Sequence, residues 1–226
     1  MGTITLSKAN RLFWLGRYLE RVYTGIRLTR DLFDAYTDGI EGDYTAYCRA
    51  LGIPDTYADT ADFIRRYYFD RDNPNSIASS LGYAYDNAIV LRDTLSTDTL
   101  AYVQMAVSAM DLAAQSDGPG VELQWVLDDI MAFRGSCEEQ IDEEANRSIL
   151  KTGASLERVD LYLRLGVDEA ACEREFGRLL NRLYKSPLKP VPANLDILVD
   201  ALLDKTHPAP PLGSLVGTLE MLFPAV

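Results

Sequence analysis

The segment from Ser7 to Phe33, SKANRLFWLGRYLERVYTGIRLTRDLF, decides the fold class. Its Leu12, Leu15, Leu19, Val22, Ile26 and Phe33 fall at steps of 3, 4, 3, 4 and 7, so they share one stripe of an α-helix. Nowhere does a run of alternating β-branched residues compete with that period. Ser7 suits an N-cap, and the spacing predicts a helix to about Tyr36, stopped by Asp38-Gly39 and Gly42. Phe13, Gly16, Glu20, Tyr23 and Arg27 form a second stripe beside the apolar one.

The same period recurs down the chain. Residues 44–69 read as two short helices hinged at Gly52-Ile53-Pro54. In DNPNSIASSLGYAYDNAIVLRDTLS, Asn73 can cap and Pro74 can take the first helical position. Ile77, Leu81, Ala84, Ala88, Leu91 and Leu95 then form a seam, which predicts a helix over 74–94. Ser96 or Thr97 caps a segment carrying Leu100, Val103, Val107, Met110 and Ala114, stopped by Ser116-Asp117-Gly118-Pro119-Gly120; so short a turn favours an antiparallel neighbour. Leu123, Leu127, Ile130, Cys137 and Ile141 mark a fourth long helix, broken or ended near Gly153. Leu156, Val159 and Leu163, then Cys172, Phe176, Leu179 and Leu183, mark two more. Seven of the ten prolines lie between Pro187 and Pro224, bracketing short helices around Leu195–Leu203 and Leu212–Phe223. The expectation is an all-α bundle of about eight helices over residues 1–186, with a Pro-punctuated helical appendage, 187–226, packed on it.

Composition narrows the function classes. Among 226 residues, 22 Lys and Arg against 34 Asp and Glu give a net charge of −12, which repels nucleic-acid phosphates and anionic lipid. No apolar run is long enough to span a membrane. Cys48, Cys137 and Cys172 show no CxxC spacing, and the first residues, MGTITLSKANRLFW, lack the apolar core of a secretory signal and, with Leu6, the myristoylation pattern. A cytoplasmic location is expected. One histidine, His207 in THPAPP, cannot supply a paired-histidine metal site, so neither metal nor cofactor is expected. No Walker loop, GxGxxG or GxSxG occurs, so any ATP-dependent chemistry belongs to a partner.

Gly16-Arg-Tyr-Leu-Glu-Arg-Val and Gly153-Ala-Ser-Leu-Glu-Arg-Val share GxxLERV at an offset of 137, and Arg27-Leu28 matches Arg164-Leu165 at the same offset. Two helices therefore carry the same face, on the second of which Gly153, Glu157, Asp160 and Arg164 align. A glycine one turn before each glutamate leaves room for a helix or ligand near the carboxylate. Two readings stand. Glu20 and Glu157 are structural ion-pair members, each with the arginine seven residues on or with one from another helix. Alternatively they form a polar site in the bundle interior that binds an amine, a peptide or a cation.

Two other groups are weaker. Glu138, Glu139, Asp142, Glu143 and Glu144 could share a cation through i,i+4 pairs or form a solvated face. Tyr67, Tyr68, Phe69, Tyr83 and Tyr85 could floor a pocket or belong to the core.

SKANRLFWLGRYLERVYTGIRL resembles the opening of the bacterial alpha-E family, roughly SRxAxxLFWLGRYxERAExxxRLL. NPNSIASSLGYAYDNAIVLRDTLS resembles that family's central motif, NPNSIxxSLxxARENARxLRDxLS, and LERVDLYLRL its second Glu-Arg helix; together these span about residues 7–167. The matching positions are Phe13, Trp14, Gly16, Arg17, Glu20, Arg21 and Arg27, then Asn73, Pro74, Asn75, Ser76, Ser80, Leu81, Asn87, Arg92 and Asp93, then Glu157 and Arg158. Where the family reads ARENAR, this chain has Ala84-Tyr85-Asp86-Asn87-Ala88-Ile89, two arginines fewer. The resemblance implies an all-helical domain, typically encoded beside circularly permuted ATP-grasp ligases and transglutaminase-like proteins, in a setting of peptide or amide-bond formation or processing. The candidate binding residues are accordingly Arg17, Glu20, Arg21, Arg27, Asn75, Ser76, Asn87, Arg92, Glu157 and Arg158. The expected function is a non-catalytic accessory or binding protein of such a system, with a peptide or amine as possible ligand. The alternative is an enzyme using Glu20 or Glu157 as general base.

Overall fold

The computed structural model describes residues 4–40 and 42–224. The first three residues, which contribute to the reading of the N-terminus, lie outside them, as do the last two of the Pro-rich segment. The protein is all-α. Its helices are α1 (Leu6–Leu28), α2 (Arg30–Thr37), α3 (Tyr44–Leu51), α4 (Thr60–Phe69), α5 (Ile77–Val90), α6 (Thr97–Ala113), α7 (Gly120–Gln140), α8 (Glu144–Arg164), α9 (Glu169–Lys185), α10 (Pro192–Val199) and α11 (Leu212–Glu220). A π-helical turn, Asp200–Asp204, extends α10. Among the described residues nine helices precede residue 187, where about eight were expected, and two follow in the Pro-rich segment; the additional one comes from a break in the first helix, while two other boundaries moved without changing the count.

The long first helix breaks at Thr29. The Thr29 hydroxyl bonds back to the Gly25 carbonyl at 2.8 Å and meets the Tyr68 hydroxyl at 2.6 Å, and such back-bonding bends a helix. At the NPNS string Ser76, not Asn73, caps α5, accepting from the Ser79 amide at 2.9 Å. The Asn73 carboxamide instead closes a turn onto the Asn75 amide and reaches the Tyr57 hydroxyl and the Arg66 carbonyl, so Pro74 precedes the helix. α5 also stops at Val90 rather than 94. The fourth long helix ends at Gln140, where buried Ile141 is extended; α8 then starts at Glu144, whose charge suits a helix N-terminus, and runs straight through Gly153.

By contacts the chain divides into two compact units: the described residues up to Arg17 with those from Glu143 onward, and Tyr18–Asp142. In the first, α8 packs on α9 and α11, α10 packs on α11, and the π turn packs on α9. Phe223 meets Phe13 with ring centroids 5.5 Å apart. The start of α1 crosses α8 with backbones touching: a Cβ at Gly16 would lie 2.0 Å from the Leu150 carbonyl oxygen, and one at Gly153 would lie 2.1 Å from that of Phe13. Only glycine at both places permits this approach.

In the second unit α6 and α7 form the expected antiparallel hairpin, with α5 against α6 and α4 against α5. Ser96 caps α6 through the Thr99 amide. Gly52, at φ +69°, ends α3 in the left-handed region, which favours glycine. Phe33, Tyr44, Tyr57, Phe63, Tyr67 and Tyr68 make a connected ring cluster. Tyr67 and Tyr68 therefore belong to the core, whereas Tyr83 is exposed against Tyr18.

Candidate functional site

Both Glu-Arg glutamates are fully buried, at 0% exposure. A carboxylate taken out of water needs a cation and hydrogen bonds to remain charged. For Glu157, in the first unit, these come from α1: Arg17 Nε donates to Oε2 at 2.7 Å, while the guanidinium lies 4.7 Å from the centre of the Trp14 ring. The Gly16 and Gly153 contact makes this possible, because it brings α1 against the turn of α8 that precedes Glu157. Glu20, in the second unit, receives Thr24 Oγ1 on Oε1 at 2.5 Å and Arg134 Nη2 of α7 on Oε2 at 2.7 Å. Arg134 is itself stacked 4.2 Å from the Tyr23 ring centre. Each carboxylate is thus closed by an arginine from another helix, the second form of pairing that the sequence allowed. The arginines seven residues on do other work: Arg27 is exposed over Tyr23, and Arg164 binds Asp160 at 2.9 Å and Glu220 at 2.6 Å.

The remaining candidates separate by burial. Arg158 pairs with Glu175 of α9 at 3.2 Å, and Arg21 lies over the Tyr18 ring. Ser76 is the buried cap of α5, and Asn87 is half-buried. Asn75 and Arg92 are at the surface, Arg92 beyond the end of α5 beside Asp93. Sequence reading missed Arg134. It is the one cation between Asp93 and Asn146, four residues after Ile130 and three before Cys137, both buried. A charge at that spacing on an apolar stripe demands a carboxylate facing it.

Asp160, one turn after Glu157, is a buried carboxylate with one oxygen unsatisfied. It is 6% exposed, accepts from Arg164 Nε on Oδ2, and has no partner on Oδ1. Burial first, then the nearby Glu157 charge, hold its carboxyl above the usual aspartate range.

Among the described residues, no three His, Cys, Asp or Glu side chains gather as a metal ion would need. α7 ends before Asp142, so the i,i+4 acidic pairs do not form, and Glu144 faces Lys185 at 3.7 Å. His207 closes the turn after α10, its Nδ1 3.0 Å from Asp200 Oδ2. Burial pushes the Cys48 and Cys172 thiols up to about 11. A cleft with about 30 Å³ of space is floored by Ile26, Phe33, Leu127 and, of the aromatic set, Tyr68, and is lined by none of the candidate binding residues. No described helix is long and apolar enough to cross a membrane.

A family model for a predicted alpha-helical domain with a conserved ER motif matches residues 6–203. The chain belongs to this family, alpha-E, and carries the Glu-Arg pair twice, at Glu20-Arg21 and Glu157-Arg158. No curated protein and no solved structure matches it significantly.

Proposed function

We propose that this chain is a non-catalytic accessory or binding protein of a bacterial, cytoplasmic ATP-grasp system that forms or modifies amide bonds. It would engage the ligase, a transglutaminase-like protein, or the peptide or amine that they handle. The setting comes from the family resemblance. The observation that favours a non-catalytic role is that Glu20 and Glu157 each hold an arginine at 2.7 Å inside the fold. A general base must instead be free to take a proton from substrate. Such pairs hold helix register, so the Glu-Arg faces serve the scaffold on which a binding surface is displayed.

The test is reconstitution. The purified chain is titrated into an ATP-grasp ligase from the same source, with complex formation followed by sedimentation and ligase turnover by ADP release. Complex formation with altered turnover, and no amide chemistry from the chain alone, is the expected result. Amide formation or hydrolysis by the isolated chain, abolished in Glu157→Gln, would establish the enzymatic alternative. Absence of both complex and effect would remove the accessory reading.

A further inference from the structure

The α6–α7 hairpin presents an outer face that the Glu-Arg scaffold does not use. On α6, Asp98, Met105 and Leu112 recur every seven residues and so line one stripe; on α7, Val121, Trp125 and Asp128 line another. On α7 the opposite side is the buried one, with Leu123, Leu127 and Ile130; on α6 the stripe flanks the buried arc of Val103, Ala106, Ala109 and Met110. The antiparallel pairing puts Leu112 near Val121 and sets Met105 and Trp125 toward the middle of the hairpin. Exposures of 50% for Met105, 53% for Leu112, 60% for Val121 and 48% for Trp125 leave four large apolar side chains in water along these two stripes.

The charge around the patch has one sign. From Asp93 to Phe133 there is no lysine or arginine, while Asp98, Asp111, Asp117, Glu122, Asp128 and Asp129 all fall on the hairpin or its turn. Arg71 neutralises Asp111. Among the described residues the other five have no cationic partner, and Glu122 Oε2 is buried with no hydrogen bond at all. Asp129, half-buried two turns beyond Glu122, is held above the usual aspartate range by burial and by Asp128. Asp128 and Asp129 thus repel each other, with no described cation paired to either.

We propose that this face docks a basic amphipathic helix of a partner protein, with apolar anchors seated on Met105, Leu112, Val121 and Trp125 and flanking Lys or Arg side chains on the carboxylates. Helix-in-groove recognition uses such spaced apolar anchors, and complementary charge sets orientation and association rate. A second copy of the chain in a symmetric dimer would set this acidic rim against itself, and anionic lipid would meet the same repulsion. The surface is independent of the amide-ligase setting, since it specifies the partner's chemistry and not its activity.

The probe is a fluorescent 14-residue Leu–Lys amphipathic helix, titrated into the full chain by anisotropy. Its controls are a scrambled peptide of identical composition and a Leu–Glu helix. Binding by the Leu–Lys helix alone is expected, weakening at least tenfold in Trp125→Ala and again in Asp98→Lys/Asp128→Lys, and falling with salt. Met131→Ser, exposed on the other flank of α7, should bind as wild type. All these positions are solvent-facing, and circular dichroism confirms folding; the charge-reversal pair stands alone if Trp125→Ala fails to fold. No binding, equal binding of the scrambled peptide, or binding unchanged in both variants would overturn the proposal. So would a dimer in sedimentation that Trp125→Ala dissociates, since that would assign the face to self-association.

Discussion

Replacing Gly153 with alanine tests whether the crossing of α1 and α8 organises the first unit. A methyl carbon there would lie 2.1 Å from the Phe13 carbonyl oxygen, whereas such C···O contacts are ordinarily about 3.3–3.6 Å. The neighbour is helix backbone, which cannot swing aside, so the helices must part by about 1 Å. Overpacking of this kind costs about 1–3 kcal/mol, and parting the helices also loosens the Arg17 and Glu157 contact. Alanine in mid-helix returns about 1 kcal/mol of propensity. With the overpacking at the upper end, the net loss is about 2 kcal/mol, or about 4–8 °C in Tm for a chain of this size. At Gly135, inside α7, a methyl group would meet nothing within 4 Å, so Gly135→Ala should gain about 1 kcal/mol. Urea unfolding followed by circular dichroism compares the two. A Gly153→Ala protein as stable as wild type would refute the account of the crossing.

Three further outcomes follow from the buried groups. Glu20→Gln keeps the shape but removes the charge facing Arg134, and urea unfolding should register a loss of about 1.5–3 kcal/mol, the range for hydrogen bonds to charged groups; an unchanged midpoint would separate this face from stability. Asp160 has its folded-state proton affinity raised, so its contribution is fully favourable below the unfolded value of about 3.9 and is lost as pH rises through the folded value. Asp160→Asn should therefore be more stable than wild type at neutral pH, with the advantage vanishing in acid; an advantage independent of pH, or a loss, counts against the assignment. Cys48 and Cys172, buried and with thiols raised to about 11, should react with a thiol reagent at pH 8 only on unfolding, and prompt labelling of the native protein would contradict their burial.

The amino-acid sequence by itself determined the class of fold, most of the helices and the family. Apolar side chains at steps of 3 and 4 report which face of a helix leaves water, and that information is local. Cap and turn chemistry is local too, so Ser96 or Thr97 was legible as a cap and Ser116 to Gly120 as a tight turn. The repeated GxxLERV singled out Glu20 and Glu157 as special, because a glycine beside a charged residue on a helix flank is costly unless something approaches closely.

Tertiary structure decided the partners. Arg134 lies 114 residues from Glu20, and Arg17 lies 140 from Glu157, so no helical spacing could connect them; the arginines at i+7 were equally plausible on local grounds. Tertiary contacts also moved the boundaries. Thr29 breaks the first helix where the Tyr68 hydroxyl meets it, and Asn73 leaves the cap to Ser76, its Nδ2 donating to the Tyr57 hydroxyl and the Arg66 carbonyl while its Oδ1 accepts from the Asn75 amide. Gly153 reads as a helix breaker in sequence, since its lack of a side chain is destabilising in isolation. In the folded chain that lack lets α1 approach α8 at backbone contact, so packing outweighs propensity and α8 continues through it.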